Sequence, residues 1–178
     1  MPKKYFIAIV PPEKILKQIE LVKQELFAKY GLKSALRSPA HITLHRPFEW
    51  KESKEPFLID KLEKFSFDKS FTIQLKNYNC FEPRVIYIDV TKNETLNHLH
   101  HQLRNYAGSQ LKLLNEIEDF RGFHPHVTVA FRDLKKQMFF KLWDELKIKD
   151  FSESFDFTGF CLLRLESKWQ IIKKFNND

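Results

Sequence analysis

Two copies of a short pattern that joins histidine to threonine lie about half a chain apart. The first copy is HITL at residues 41–44, the second is HVTV at residues 126–129, and a proline stands within two residues before each histidine. With 7 His and 6 Thr in the chain, composition alone predicts roughly 0.2 His-x-Thr triplets. A single copy is typical of a histidine at the start of a strand, but the matched pair indicates a shared function.

The spacing within each copy predicts where the polar side chains point. Side chains alternate between the two faces of a strand, so His41 and Thr43 should point the same way, about 7 Å apart. The same holds for His126 and Thr128, while the aliphatic residues between and after them face the core. Two imidazoles and two hydroxyls can then converge on one small anionic group. The pair of motifs therefore predicts metal-free acid–base chemistry at a phosphate, because histidine gains and loses protons near neutral pH.

The hydrophobic pattern predicts the elements that position these motifs. The order of strand, long helix, motif strand, helix and further strands appears twice, once around each motif. We therefore expect one α+β domain over residues 1–178, with two related lobes of antiparallel sheet and outer helices. The predicted strands are 4–10, 41–45, 71–81, 85–90, 126–131, 151–157, 159–166 and 169–175, the predicted helices are 12–30, 55–64, 92–115 and 134–146, and 116–124 is a predicted loop.

Composition narrows the class of protein. A chain of 178 residues with 43% hydrophobic content is long enough to bury one substantial core. The net charge of +7 favours an anionic partner only weakly, because lysine-rich surfaces are common. Cys80 and Cys161 stand in separate apolar runs and indicate reduced thiols. The apolar start is too short for a signal peptide and no stretch could span a bilayer, so we expect a cytoplasmic protein without a membrane partner.

The paired motifs, each with its leading proline, resemble those of the 2H phosphoesterase superfamily, and in particular the bacterial 2′-5′ RNA ligase-like proteins, or RNA 2′,3′-cyclic phosphodiesterases. The resemblance covers nearly the whole chain and implies two pseudo-symmetric lobes that flank a cleft, with one motif from each lobe. It implies that His41 and His126 are the catalytic imidazoles. It also implies that Thr43 and Thr128 donate hydrogen bonds to non-bridging phosphate oxygens.

The same resemblance implies an activity and a class of substrate. The expected reaction hydrolyses 2′,3′-cyclic phosphate ends of RNA or of small cyclic nucleotides to 2′-phosphates, with reversible 2′-5′ RNA ligation as a further activity. We expect no cofactor and a monomer, and the absence of a Gly-Lys-Ser/Thr motif argues against an ATP requirement. The sequence leaves open which histidine is the acid and which is the base.

Further residues become candidates for substrate binding by their place beside the motifs. Strand alternation predicts that His45 shares the face of His41 and Thr43, and that Arg132 shares the face of His126 and Thr128 if that strand continues. The alternative is that both lie past the strand ends and meet solvent. Weaker candidates of the same kind are Arg46, Lys168 and Phe48, of which Phe48 could stack on a base or belong to the core.

Three other interpretations compete with catalysis at a phosphate. His98 and His101 lie one helical turn apart and could share a zinc ion, but no Cys, Asp or Glu stands beside them at convincing ligand spacing. A module of the same fold that binds RNA or a nucleotide without turnover would not need all four motif residues. A purely structural basic protein would leave the repeated motif as a coincidence.

Overall fold

A computed structural model describes residues 1–116 and 122–176, and every predicted helix and strand is present. The predicted loop 116–124 lies partly outside the described residues. The strands are β1 (Pro2–Ile9), β2 (Ile42–Lys51), β3 (Thr72–Phe81), β4 (Val85–Val90), β5 (His126–Ala130), β6 (Ser152–Asp156), β7 (Gly159–Leu165) and β8 (Trp169–Asn176). The α-helices are α1 (Glu13–Tyr30), α2 (Glu55–Glu63), α3 (Glu94–Leu111) and α4 (Lys136–Leu146), and short 3-10 turns cover Ser34–Arg37 and Glu52–Lys54.

The strands form two four-stranded antiparallel sheets, as the α+β prediction requires. Sheet A has the order β2-β1-β7-β8 and sheet B has the order β5-β4-β3-β6. Each motif strand is therefore an edge strand, paired with β1 in sheet A and with β4 in sheet B. The two halves of the chain also exchange strands, because β3 joins sheet B and the last two strands complete sheet A. Neither sheet is therefore the product of one half alone.

The two long helices repeat one another as the two motifs do. Helices α1 and α3 are both 18 residues long, and each connects a central strand to the motif strand that pairs with it. Each also ends at a left-handed residue, Gly31 with φ 70° and Lys112 with φ 58°. The left-handed cap stops α3 at Leu111, four residues before its predicted end.

Sheet A is apolar on both faces, and only one of them belongs to the main core. Ile7, Ile9 and Leu162 lie in the large cluster that the helices cover. The opposite face carries a second, smaller apolar cluster, to which Phe6 and Ala8 belong. This second face is the one that bears the first motif, because Ala8 pairs with Thr43 in the register of β1 with β2.

No helix among the described residues is long and apolar enough to cross a membrane.

Candidate active site

His41 is the residue immediately before β2, and its ring is held by its own backbone. The Nδ1 atom lies 2.7 Å from the carbonyl oxygen of Pro39. Because a carbonyl oxygen only accepts, Nδ1 must carry the hydrogen, and the neutral ring then has its lone pair on Nε2. The Phe6 ring packs 4.7 Å from the His41 ring, and Trp169 packs 4.6 Å from Phe6 on its other side. Phe6 and Trp169 therefore form an apolar floor beside the His41 ring.

His126 opens β5 and is held in the same way. Its Nδ1 atom lies 2.7 Å from the carbonyl oxygen of His124, two residues earlier, as Pro39 is two residues before His41. The same argument assigns the hydrogen to Nδ1 and the lone pair to Nε2. The repeat in the sequence is thus a repeat of hydrogen bonding, tautomer and strand position.

The surroundings of His126 are more polar than those of His41. The rings of Tyr87 and Phe81 lie 4.9 and 5.2 Å from the His126 ring. The Nε2 atom of His124 lies 3.2 Å from the Tyr87 hydroxyl and 3.6 Å from a carboxylate oxygen of Asp89. In the register of β4 with β5, Tyr87 pairs with Thr128 and Asp89 pairs with His126. A carboxylate therefore stands beside the second motif.

The structure brings the two histidines together, and their charges interact. Burial lowers the pKa of His41 to about 4, and the positive charges of Lys23 and His126 lower it in the same direction, against the bond to the Pro39 carbonyl. The effect of His126 on His41 means that the rings, one from each sheet, are near enough to repel when both are protonated. His41 is consequently neutral at pH 7.

The prediction that His45 shares the face of His41 and Thr43 is wrong, because the strand bulges. Thr43 pairs with Ala8, but His45 pairs with Ile7, and neighbouring residues of a strand point to opposite faces. His45 is fully buried on the core face, with its ring 5.4 Å from the ring of Phe48. Phe48 is buried as well. It therefore belongs to the core, which was the alternative to stacking on a base.

The second motif contains the same bulge at the same place. Thr128 pairs with Tyr87, but Ala130 pairs with Ile86, so Ala130 turns away from the cleft and is buried. Strand β5 ends there, and Arg132 follows in a turn with φ 41°. The prediction that Arg132 shares the face of His126 and Thr128 is therefore wrong, and its side chain is exposed. In both motifs the bulge confines the shared face to histidine and threonine.

The two remaining candidates lie at the surface. Arg46 follows the first bulge, where its backbone N–H donates to the Glu116 carboxylate. Lys168 stands in the turn between β7 and β8, directly before Trp169 of the apolar floor. Both side chains are exposed, and a role for either in substrate binding stays a prediction.

The two candidate zinc ligands on α3 bond within their own helix. His98 and His101 are exposed and bond to Gln102 and Asn105, each one turn along the same helix. Across residues 1–116 and 122–176, no group of three or more His, Cys, Asp or Glu side chains is arranged to hold a metal ion.

Several neighbours of the motif histidines are not predicted by any local pattern. They are Phe6 and Trp169 on sheet A, Tyr87 and Asp89 on sheet B, and Lys23 on α1. Alternation in the 85–90 strand assigns Tyr87 and Asp89 to one face of that strand. The pairing of the strand with β5, which places both residues beside the second motif, is visible only in the structure.

Comparisons with known proteins agree with this architecture. The family model of the 2′-5′ RNA ligase superfamily matches residues 11–169. A candidate phosphoesterase of Geobacillus kaustophilus is 28% identical, over 97% of this chain and 95% of its own. The crystal structure of Escherichia coli LigT complexed with 3′-AMP superposes with a TM-score of 0.69 at 23% identity, covering 99% of this chain and 98% of LigT. TT0787 of Thermus thermophilus gives a TM-score of 0.66 at 20% identity, covering 98% and 97%. With its duplicated motif and its two sheets, the chain belongs to the 2′-5′ RNA ligase superfamily of 2H phosphoesterases.

Proposed function

We propose that the protein is a metal-independent phosphodiesterase that hydrolyses 2′,3′-cyclic phosphate ends of RNA or nucleotides to 2′-phosphates. The observation that carries the proposal is the matched pair of histidines, each held through Nδ1 by the carbonyl two residues earlier. This arrangement leaves two Nε2 atoms, one from each sheet, to serve as base and acid at one phosphorus. Thr43 and Thr128 lie on the same faces as these rings and supply hydroxyl donors for the non-bridging oxygens.

The surroundings of the two histidines support an assignment of roles. A general base must begin neutral and a general acid must begin protonated. His41, with its pKa lowered to about 4, is neutral and suits the base. His126 is the other imidazole of the matched pair, and the carbonyl of His124 holds its Nδ1 as the Pro39 carbonyl holds that of His41. His126 therefore suits the acid.

The reaction follows from this assignment. His41 Nε2 takes a proton from water as the water oxygen forms a bond to phosphorus. His126 gives its proton to the ribose 3′ oxygen as the bond from that oxygen to phosphorus breaks, which leaves a 2′-phosphate. The anionic substrate raises the basicity of His41 while it is bound, because a negative charge favours the protonated ring. Proton exchange with water then restores both histidines.

The chemistry of the relatives supports a nucleotide substrate. LigT of Escherichia coli is seen in complexes with 3′-AMP and with NADP+, and the net charge of +7 of the present chain favours an anionic partner. In ligation, the 5′-hydroxyl of a second RNA end takes the place of water. It gives its proton to His41 and bonds to phosphorus, while the ribose 3′ oxygen leaves with the proton of His126. That reaction joins RNA ends through a 2′-5′ bond, so the same two histidines would support reversible ligation.

A product assay tests the proposal. We expect metal-independent turnover of nucleoside 2′,3′-cyclic monophosphates, and of a short RNA with a 2′,3′-cyclic end, in the presence of EDTA. Chromatography or phosphorus NMR should identify the product as the 2′-phosphate. Binding of these ligands without turnover would instead support a nucleotide-binding module. Loss of activity on chelation would contradict the metal-independent two-histidine mechanism.

The pH dependence tests the role of His41. The acid limb of kcat/KM reports the pKa of the essential base in the free enzyme. Since the pKa of His41 is lowered to about 4, protonation should inactivate the base only near that pH, well below the ordinary range of histidine. An acid limb near 6.5 would contradict the assignment. If His41 were the acid, activity would instead disappear as the pH rises above about 4.

A further inference from the structure

An ion pair between a buried lysine and a partly exposed glutamate on helix α1 contacts the segment that precedes the first motif. Lys23 is only 2% exposed, and its Nζ atom lies 2.9 Å from Glu20 Oε1 and 3.0 Å from the carbonyl oxygen of Ser38. The same Glu20 oxygen accepts a hydrogen bond from the backbone N–H of Ala40 at 2.9 Å. The two side chains thus form hydrogen bonds with both ends of the three-residue segment 38–40, which leads into β2.

Segment 38–40 also orients the His41 ring. Pro39 lies between the two held residues, and its carbonyl oxygen accepts the bond from His41 Nδ1. A shift of segment 38–40 would therefore move both the ring and its acceptor. Reacting groups must be held within a fraction of an ångström, and a displacement of about 1 Å can cost 10²-fold in rate.

The pair is not explained by the needs of the helix. Glu13 and Lys17 form a comparable pair on the same helix, at 2.7 Å with side chains 77% and 72% exposed. An ammonium group loses its hydration when it is buried, and apolar side chains of the same size would usually pack as well without that cost. The burial of Lys23 therefore needs a reason beyond the stability of α1.

The two lobes differ at this point. Behind His41 stands the cation of Lys23, which disfavours protonation of the ring. On the other sheet, Asp89 pairs in register with His126, and its carboxylate lies 3.6 Å from Nε2 of His124. The segment before the first motif therefore has a cation beside it, whereas the segment before the second motif has a carboxylate.

We propose that the Glu20–Lys23 ion pair is a positioning device for catalysis, which clamps residues 38–40 and so fixes the ring of His41. The inference rests on the proposed function, because it assigns the pair to the base of that reaction. Neither residue donates or accepts a proton in the proposed reaction, so the pair should act on kcat and on the titration of His41, and leave KM nearly unchanged.

The decisive variant is Lys23→Met, compared with Lys17→Met as the matched control on the same helix. NMR titration of the histidines without substrate should show a raised pKa of His41 in Lys23→Met, because a charge that lowers it is removed. The other charge that acts on His41 is that of His126, which both variants retain. The acid limb of kcat/KM should move to higher pH, and kcat should fall at least tenfold. Lys17→Met should alter none of these.

A second variant guards against a failure of Lys23→Met to fold. Glu20→Gln keeps an oxygen that can accept from Ala40 but removes the ion pair, and we expect kcat to fall severalfold with KM preserved. A folded Lys23→Met protein with the His41 pKa and kcat of the parent would overturn the inference. So would a loss of activity that only follows the folded fraction. If the parent turns over no cyclic phosphate, the proposed function fails, while the titration of His41 still tests the electrostatic link.

Discussion

Replacement of either motif histidine is expected to lower kcat towards a 2′,3′-cyclic phosphate by about 10²- to 10⁴-fold, the usual contribution of general acid–base catalysis. In His41→Ala no group takes the proton from water, and in His126→Ala no group protonates the departing ribose oxygen. Initial rates with a nucleoside 2′,3′-cyclic monophosphate, and circular dichroism to confirm folding, check the result. The double variant should be little worse than either single one, because residues that act as one unit are not additive.

His101→Ala is the matched control for these variants. His101 is exposed on α3 and bonds to Asn105 on the same helix, so its loss removes an imidazole of equal size far from the motifs in sequence. Activity and stability should stay at the parental level. A motif variant that is as active as His101→Ala would contradict the two-histidine mechanism.

A change of leaving group separates the two roles. A nitrophenyl phosphodiester releases nitrophenolate, which departs without a proton, so the acid is dispensable for this substrate while the base is still needed. His126→Ala should therefore recover most of its activity with the nitrophenyl ester, and His41→Ala should not. Recovery in His41→Ala instead would show that the assigned roles are reversed.

Much of this site follows from local rules of sequence. The His-x-Thr spacing has the period of a strand, and it correctly predicts one polar face in each motif. The helix predicted over 12–30 begins after two prolines and ends before Gly31, and the structure has it at Glu13–Tyr30. The repeated order of elements also predicts two lobes, because strands and helices are set by short-range patterns of apolar residues.

The wrong prediction for His45 has one physical cause. A bulge inserts one unpaired residue and reverses the alternation beyond it, so His45 turns into the core although the sequence continues to alternate, and Ala130 does the same in the second motif. Whether a strand bulges depends on the register with its partner, and β1 is separated from β2 in sequence by the whole of α1. The ring contact of His41 with Phe6 and its electrostatic interaction with Lys23 are long-range in the same sense. Simple alternation therefore locates the motif but not what surrounds it.

The second large effect is expected from the threonines. Thr43→Val and Thr128→Val keep a β-branched side chain of nearly equal volume, so each strand should be retained. Each variant loses only the hydroxyl that the proposed mechanism aims at a non-bridging phosphate oxygen. Loss of one preorganised donor to a charge that develops in the transition state typically lowers kcat by about 10²- to 10³-fold. Steady-state kinetics on the cyclic substrate measure this loss.

Thr72→Val provides the control, since Thr72 lies exposed on β3 and its hydroxyl donates to Asp156 at 2.7 Å, within the sheet. This variant should keep the parental kcat and KM. The division between the two constants then decides what the motif threonines do. A rise in KM with unchanged kcat would mean that they bind substrate and transition state equally well. A fall in kcat alone would mean that the hydroxyls bind the phosphate more strongly in the transition state than in the bound substrate. The duplicated placement of threonine beside histidine would then serve to stabilise the transition state.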